Sequence, residues 1–335
     1  MSRQNFQRLS IRRSSSRERE RSYNDDAIRL LGALVVLTSV ACAGNPPARR
    51  MIQYSELAAA PIGAADHHIA YGTDLLQFGE LRLPSGKDSV PLIVLIHGGC
   101  WRAQYDLKHV AAASAALVKD GIATWTIEYR RVGDRGGGWP GTFDDISQAV
   151  DHVRALALQF PRIDTERVFL MGHSAGGQLA LWAASRRQNE MTGLFRSSRP
   201  PLSIAGVVSL AGITDLAEYG AEPGGCNGAV TPLLGGTPAT VPERYRAVSP
   251  VERVPIGVPV YLIHGEADPI VPLAQSRQFA ARNRAAGGVS EVNAIPGAGH
   301  FDHVAPQAEA WATVLRVVHV LTDMKGAARV HTGSP

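Results

Sequence analysis

Cysteine is scarce in this 335-residue chain, with three residues at positions 42, 100 and 226. A disulfide-knit scaffold is thereby excluded, and stability must come from a hydrophobic core, for which an apolar content of 45% is ample. Excess charge is also missing once its location is known. The formal charge is +4, but residues 1–29 alone carry eight Arg against four acidic residues, which leaves 26 residues of each sign afterwards. A neutral body with no recognition module or aromatic-basic pattern argues against nucleic acid as a partner. Metal-ligand spacing is absent around His67 and His68, which have no third ligand nearby. Gly136-Gly137-Gly138 runs into Trp139-Pro140 without the Lys-Ser/Thr of a phosphate cradle, so no nucleotide cofactor is expected there. No internal repeat is evident.

An apolar run long enough for a membrane span is lacking as well: Leu30 to Gly44 gives only about 15 residues, which suits the h-region of an export signal. Residues 1–44 therefore read as a basic leader with an export or lipoprotein signal. Ser39-Val40-Ala41-Cys42 resembles a lipobox, with Ser where Leu is usual, and Ala41-Cys42-Ala43 resembles an A-x-A cleavage site. Acylation of Cys42, with membrane attachment, and simple cleavage both stay open, and export is expected in either case. Residues 45–69 read as linker, 70–322 as one catalytic domain and 323–335 as tail.

What is present is a serine between glycines. Gly172-His173-Ser174-Ala175-Gly176-Gly177 follows the apolar stretch Arg167 to Met171, read as a buried parallel strand, and precedes a helical stretch from Gln178 to Ala184. A serine on so tight a turn needs neighbours at i−2 and i+2 that are nearly free of side chain, and Gly172 and Gly176 supply them. The pattern alone is weak; its strand-turn-helix setting makes it informative.

A nucleophilic hydroxyl requires a base, a group orienting that base and donors for the oxyanion. Val90 to Ile96 reads as a strand ending in His97-Gly98-Gly99-Cys100-Trp101, whose glycines leave amides free for an oxyanion. Val258 to Ile263 is a further strand, followed by Asp268. Ser290 to Ile295 is the last, followed by Gly297-Ala298-Gly299-His300. The chain order Ser174, Asp268, His300 is complete.

These residues resemble the α/β-hydrolase family over about residues 70–322, in particular its esterases and arylformamidases with an H-G-G-x-W motif. The resemblance implies Ser174 as nucleophile, His300 as base, Asp268 as its orienter, and the amides of Gly99 and Ala175 as oxyanion donors, with Gly98 a close alternative. It implies no cofactor. Tyr129-Arg130-Arg131 followed by Gly138-Trp139-Pro140 is similar to the loop after the fourth strand in feruloyl-esterase-like members.

Each residue has a competitor. Asp215, after the apolar run Ile204 to Leu210, rivals Asp268; His303, His264 and His173 rival His300; His264 and His97 are expected to pack beneath the site. An exported compartment would permit a Cys100–Cys226 disulfide, pinning the loop around Cys226 over the site. Alternating apolar runs and helical patterns imply an α/β fold with a mainly parallel sheet and helices on both faces. Helical periods run from Leu107 to Val118, Ile146 to Leu156 and Trp311 to Leu321. Right-handed crossovers then gather Gly99, Ser174, Asp268 and His300 on one sheet edge. About 45 residues, roughly 212–256, form an insertion expected to shape the pocket, with a short helix at Val230 to Leu234. Arg186 to Leu202 is a second candidate wall, and Trp101, Trp139 and Tyr129 are candidate pocket linings.

The expected activity is hydrolysis of a small-molecule carboxylic ester through an acyl-enzyme. Arylformamidase is the alternative, and a non-catalytic binding module on the same fold is the alternative of another class. A prolyl-oligopeptidase would need a propeller domain for which the roughly 50 residues between leader and His97 give no room. A dienelactone hydrolase would carry cysteine at position 174.

Overall fold

Seven consecutive buried residues, Val90–Ile96, make the central strand β3 of an eight-stranded sheet. The computed structural model describes residues 50–187, 200–222 and 225–323; the leader, Cys42 and the tail beyond Asp323 lie outside the described residues. In chain order the strands are β1 (His67–Ala70), β2 (Phe78–Arg82), β3, β4 (Ala123–Ile127), β5 (Ile163–His173), β6 (Gly206–Leu210), β7 (Val260–Gly265) and β8 (Ser290–Ile295). Their order across the sheet is β1-β2-β4-β3-β5-β6-β7-β8. From β4 to β8 every pairing is parallel, and β1 and β2 add an antiparallel margin.

The helices are α1 (Tyr54–Ala58), α2 (Lys108–Lys119), α3 (Gly141–Asp151), α4 (Val153–Gln159), α5 (Ala175–Ala184), α6 (Leu216–Ala221), α7 (Val230–Leu234), α8 (Pro242–Val248), α9 (Leu273–Ala285) and α10 (Ala310–Asp323). Strand alternation sends Leu92, Val94 and Ile96 of β3 into one core, with α3, α4, α5, α9 and the insertion, while Ile93 and Leu95 join α1, α2 and α10 in the other. The helical period expected from Ile146 to Leu156 runs through α3 and α4, interrupted only at His152. Because β4 and β5 flank β3 on opposite sides, the chain reverses its direction of progress across the sheet there. The carboxyl ends of β3 and β5 thus bound a switch-point crevice, where α/β sheets hold their ligands.

Three expectations need correction. Residues 45–69 are not a plain linker: from Arg50 the chain is folded, α1 buries Leu57, and β1 pairs with β2. Elements of four or five residues are too short to show a hydrophobic period, so only their partners reveal them. Arg186 to Leu202 does not wall the site at Ser174: its described part lines a separate cavity with Ala183, Ile204, Pro255 and Val258. It joins the end of α5 to the start of β6, and such a connection lies on the sheet edge opposite the one that follows strand ends; residues 188–199 of it lie outside the described residues. Trp101 and Tyr129 line no open pocket. Both are fully buried, Trp101 donating from Nε1 to Gln178 Oε1 and Tyr129 donating its hydroxyl to the His97 carbonyl. A large ring with a polar tip is stable in a core once that tip is paired.

Candidate active site

Ser174 is the single residue between β5 and α5, with φ 56° and ψ −119°. A non-glycine residue at positive φ costs on the order of 1–3 kcal/mol, so the surroundings must enforce it. They do so by close approach: a Cβ at Gly172 would lie 2.0 Å from the Gly176 carbonyl oxygen, and one at Gly176 would lie 2.2 Å from that of Ile96. The Ser174 amide donates to the Leu210 carbonyl at 2.8 Å, which fixes the turn from the β6 side.

Beside the serine runs the loop after β3. A Cβ on Gly98 would come 3.1 Å from the Ser174 Cβ and 2.7 Å from the His173 carbonyl oxygen, so this glycine backbone abuts the serine. Gly99 has φ +103°, and the next two residues, Cys100 and Trp101, are also left-handed at 52° and 53°. The Ala175 amide lies in the first turn of α5, where backbone N–H groups have no intrahelical acceptor.

From the far strands come Asp268 and His300. His300 Nδ1 donates to Asp268 Oδ2 at 2.7 Å, and Asp268 Oδ1 accepts the amides of Ile270 and Val271 at 2.8 and 2.9 Å. Burial disfavours the charged Asp268 carboxylate, but hydrogen bonds from His264 and His300 outweigh it and hold the group well below the usual carboxylate range. An ionised Asp268 accepts from Nδ1 and so fixes the Nδ1–H tautomer of the His300 ring. The competitors have other employment. Asp215 caps α6 by accepting the amides of Ala217 and Glu218. His264 bonds Ser276 Oγ and the Val271 carbonyl, each at 2.8 Å. His303 is fully buried, and burial together with the nearby His300 pushes it down to about 3. His97 sits beneath the glycine loop, stacked on Tyr129 and bonded to Glu128.

Glu128 and His109 escaped the sequence reading. Glu128 is buried and gathers His97 Nε2 at 3.0 Å, Arg131 Nη1 at 3.0 Å and the amides of Tyr129 and Leu107, tying the loop after β4 to the loop after β3. An acidic residue ending a wholly buried strand was the available signal. His173 Nε2 donates to the His300 carbonyl, and His173 Nδ1 accepts from His109 Nε2, both at 2.8 Å, so a chain of neutral histidines runs behind the site. Cys100 and Cys226 are disulfide-bonded, and Arg102 Nη2 donates to the Gly225 carbonyl at 2.8 Å, so the insertion is fastened twice to the loop after β3. Trp139 is half-buried, with the Arg244 guanidinium 5.4 Å above its ring. His67 and His68 lie against Phe160 and Phe78.

An elbow serine, a glycine loop beside it and a carboxylate-bound histidine on one edge of a mainly parallel sheet define the α/β-hydrolase class. Within that class the chain belongs to the BD-FAE family, whose model matches residues 80–282. It is 27% identical to Esterase LipC of Mycobacterium tuberculosis (strain ATCC 25618 / H37Rv), over 75% of this chain and 64% of that protein. Esterase LipQ of the same organism is 28% identical over 63% of this chain and 50% of its own length. The chain thus spans between a quarter and about two thirds of the first curated relatives it matches. Among solved structures, a truncated carbohydrate esterase from gut microbiota superposes with a TM-score of 0.66 at 24% identity, covering 76% of this chain and 95% of that one, which establishes the shared fold.

Proposed function

We propose that this protein is a serine carboxylesterase acting on a small-molecule ester through an acyl-enzyme. The observation that carries the reading is the 2.7 Å bond from His300 Nδ1 to a deeply ionised Asp268, on the sheet edge that also presents Ser174 in its left-handed turn. In this mechanism His300 Nε2 takes the Ser174 proton as Oγ attacks the ester carbonyl, and Asp268 stabilises the imidazolium. The amides of Gly99 and Ala175, with Gly98 adjacent, receive the tetrahedral oxyanion. Protonated His300 then returns its proton to the leaving alcohol, and water repeats the sequence to release the acid. Kinship with proteins named as esterases supports ester over amide as the scissile bond.

The test is labelling by a fluorophosphonate, with turnover of p-nitrophenyl acetate and N-formylkynurenine measured in parallel. Ser174→Ala is expected to abolish both labelling and turnover while melting like wild type. Faster cleavage of the formamide would favour the arylformamidase reading, and turnover by Ser174→Ala would sink the assignment. For localisation, the apolar run from Leu30 to Gly44 supports export, with Cys42 as the candidate acylation site, and the Cys100–Cys226 bridge suits an oxidising compartment. Mass spectrometry of the protein from its native envelope would reveal a diacylglycerol on Cys42, or an N-terminus cut elsewhere.

A further inference from the structure

The segment before β1, from Arg50 to Ala58, lies against both loops that flank Ser174. Met51 runs over Gly299, immediately before His300, so closely that a Cβ there would meet Met51 Sδ at 2.6 Å. The Ile52 amide donates to Asp302 Oδ2 at 3.4 Å, and the same oxygen accepts the Gly299 amide at 3.0 Å. Asp302 is almost wholly buried, and among the described residues no cation pairs with it. A buried carboxylate without a cation is costly, so its role is the one its two amides show: it joins the histidine loop to this segment. On the other side the Tyr54 ring meets Tyr105 edge-on at 5.0 Å and lies 6.1 Å from Phe301, while Tyr105 fills the space over Gly99. Tyr54 also packs against His109, whose Nε2 bonds His173, the residue before Ser174. Leu57 and Ile52 anchor the segment in the core, and Glu56 Oε1 accepts the Gln53 amide at 2.9 Å at the start of its helix.

We infer that residues 50–58 form a strap that belongs to the catalytic apparatus, with Tyr54 and Asp302 as positioning residues that set the His300 loop against the Gly99 loop. The inference rests on the serine-hydrolase reading above. The strap and its partner loop lie outside residues 80–282, so the family match does not speak to them. Tyr54 bridges the supports of the oxyanion donors and of the base, and a change there alters their spacing without touching the substrate. Misplacement of catalytic groups by about 1 Å costs about 100-fold in rate.

The experiment uses the full chain and p-nitrophenyl acetate, well below each variant's melting temperature. Tyr54→Ala and Asp302→Asn should each lower kcat about 10- to 100-fold with KM within about twofold and slow fluorophosphonate labelling in parallel, whereas Tyr54→Phe, which keeps the ring contacts, should restore both. If Asp302→Asn does not fold, the Tyr54 pair decides, since that ring is half-exposed on a short surface helix. Wild-type kcat in folded Tyr54→Ala overturns the inference, as does a joint loss of kcat and KM that Tyr54→Phe fails to restore. A wild-type protein unlabelled at Ser174 instead removes the hydrolase reading, and the strap's role with it.

Discussion

Removing the Cys100–Cys226 bridge should cost both stability and turnover, for separable reasons. The two residues are 126 apart in sequence, and in the loop-entropy model a closure of that length restricts the unfolded chain by about 5 kcal/mol. Spread over about 260 residues, each contributing about 2.1 cal/mol/K to the unfolding entropy, that corresponds to a melting temperature lower by about 9 °C. The effect on turnover arises in the folded state. Cys100 and Trp101 are both left-handed, immediately after Gly99, and two such residues store about 2–6 kcal/mol of backbone strain. The restraints holding them are the bridge, the Trp101–Gln178 bond, the Val132 amide on the Trp101 carbonyl at 2.8 Å, and the Arg102 bond to Gly225. Without the bridge, part of that strain is released by relaxation of the loop that presents the Gly99 amide. Complete loss of one oxyanion donor costs about 100- to 1000-fold, so the Cys100→Ser/Cys226→Ser double variant should lose kcat by about 10- to 100-fold, because the other restraints remain. Calorimetry and steady-state kinetics on the double variant measure the two effects. A melting temperature within about 2 °C of wild type would refute the entropic argument. Unchanged kcat in the folded variant would refute the link between bridge and oxyanion loop.

Acid should destabilise the fold from an unusually high pH. His109, His173 and His303 are buried with folded pKa values depressed from 6.5, chiefly by burial and then by neighbouring histidines. As pH falls below 6.5 the unfolded chain takes up protons that the folded chain refuses, so stability declines by up to about 1.4 kcal/mol per pH unit per histidine, and for His303 this continues down to about pH 3. Urea melts between about pH 7 and pH 5 should show this slope, and His303→Leu should remove about one third of it; a flat profile would contradict the burial argument. Gly98→Ala should reduce kcat by about 100-fold or more, because its Cβ would meet the His173 carbonyl oxygen at 2.7 Å, whereas Gly257→Ala, with nothing within 4 Å, should change neither kcat nor melting. Glu128→Ala should destabilise by about 1–3 kcal/mol in denaturant melts, since it leaves His97 Nε2 and the amides of Leu107 and Tyr129 without their acceptor in the interior, while Arg131 keeps Asp134.

Strand and helix types were legible wherever burial was uniform along an element. Val90–Ile96 coincides with its apolar run, Ser290–Ile295 matches its expected bounds although half of it is polar, and the four loops that follow β3, β5, β7 and β8 met because chain order and crossover handedness leave them one edge to share. Boundaries shifted where tertiary contact outweighed local preference. Strand β5 starts at Ile163, four residues before the expected Arg167, because its charged beginning is open to solvent and breaks the apolar pattern. Helix α5 starts at Ala175, although Gly176 and Gly177 are poor helix formers, because the Ile96 carbonyl fills the space where a Gly176 side chain would stand. Asp268 and His300 could be read because each directly follows a strand, and strand ends on this edge are where chemistry gathers. Glu128, Asp302 and Tyr54 could not, since nothing in their own neighbourhoods sets their work. Asp302 meets Ile52 across 250 positions, and Glu128 meets His97 across 31. A reacting group is announced by the backbone that must expose it. The groups that hold it in place are ordinary residues in ordinary elements until the fold brings their partners to them.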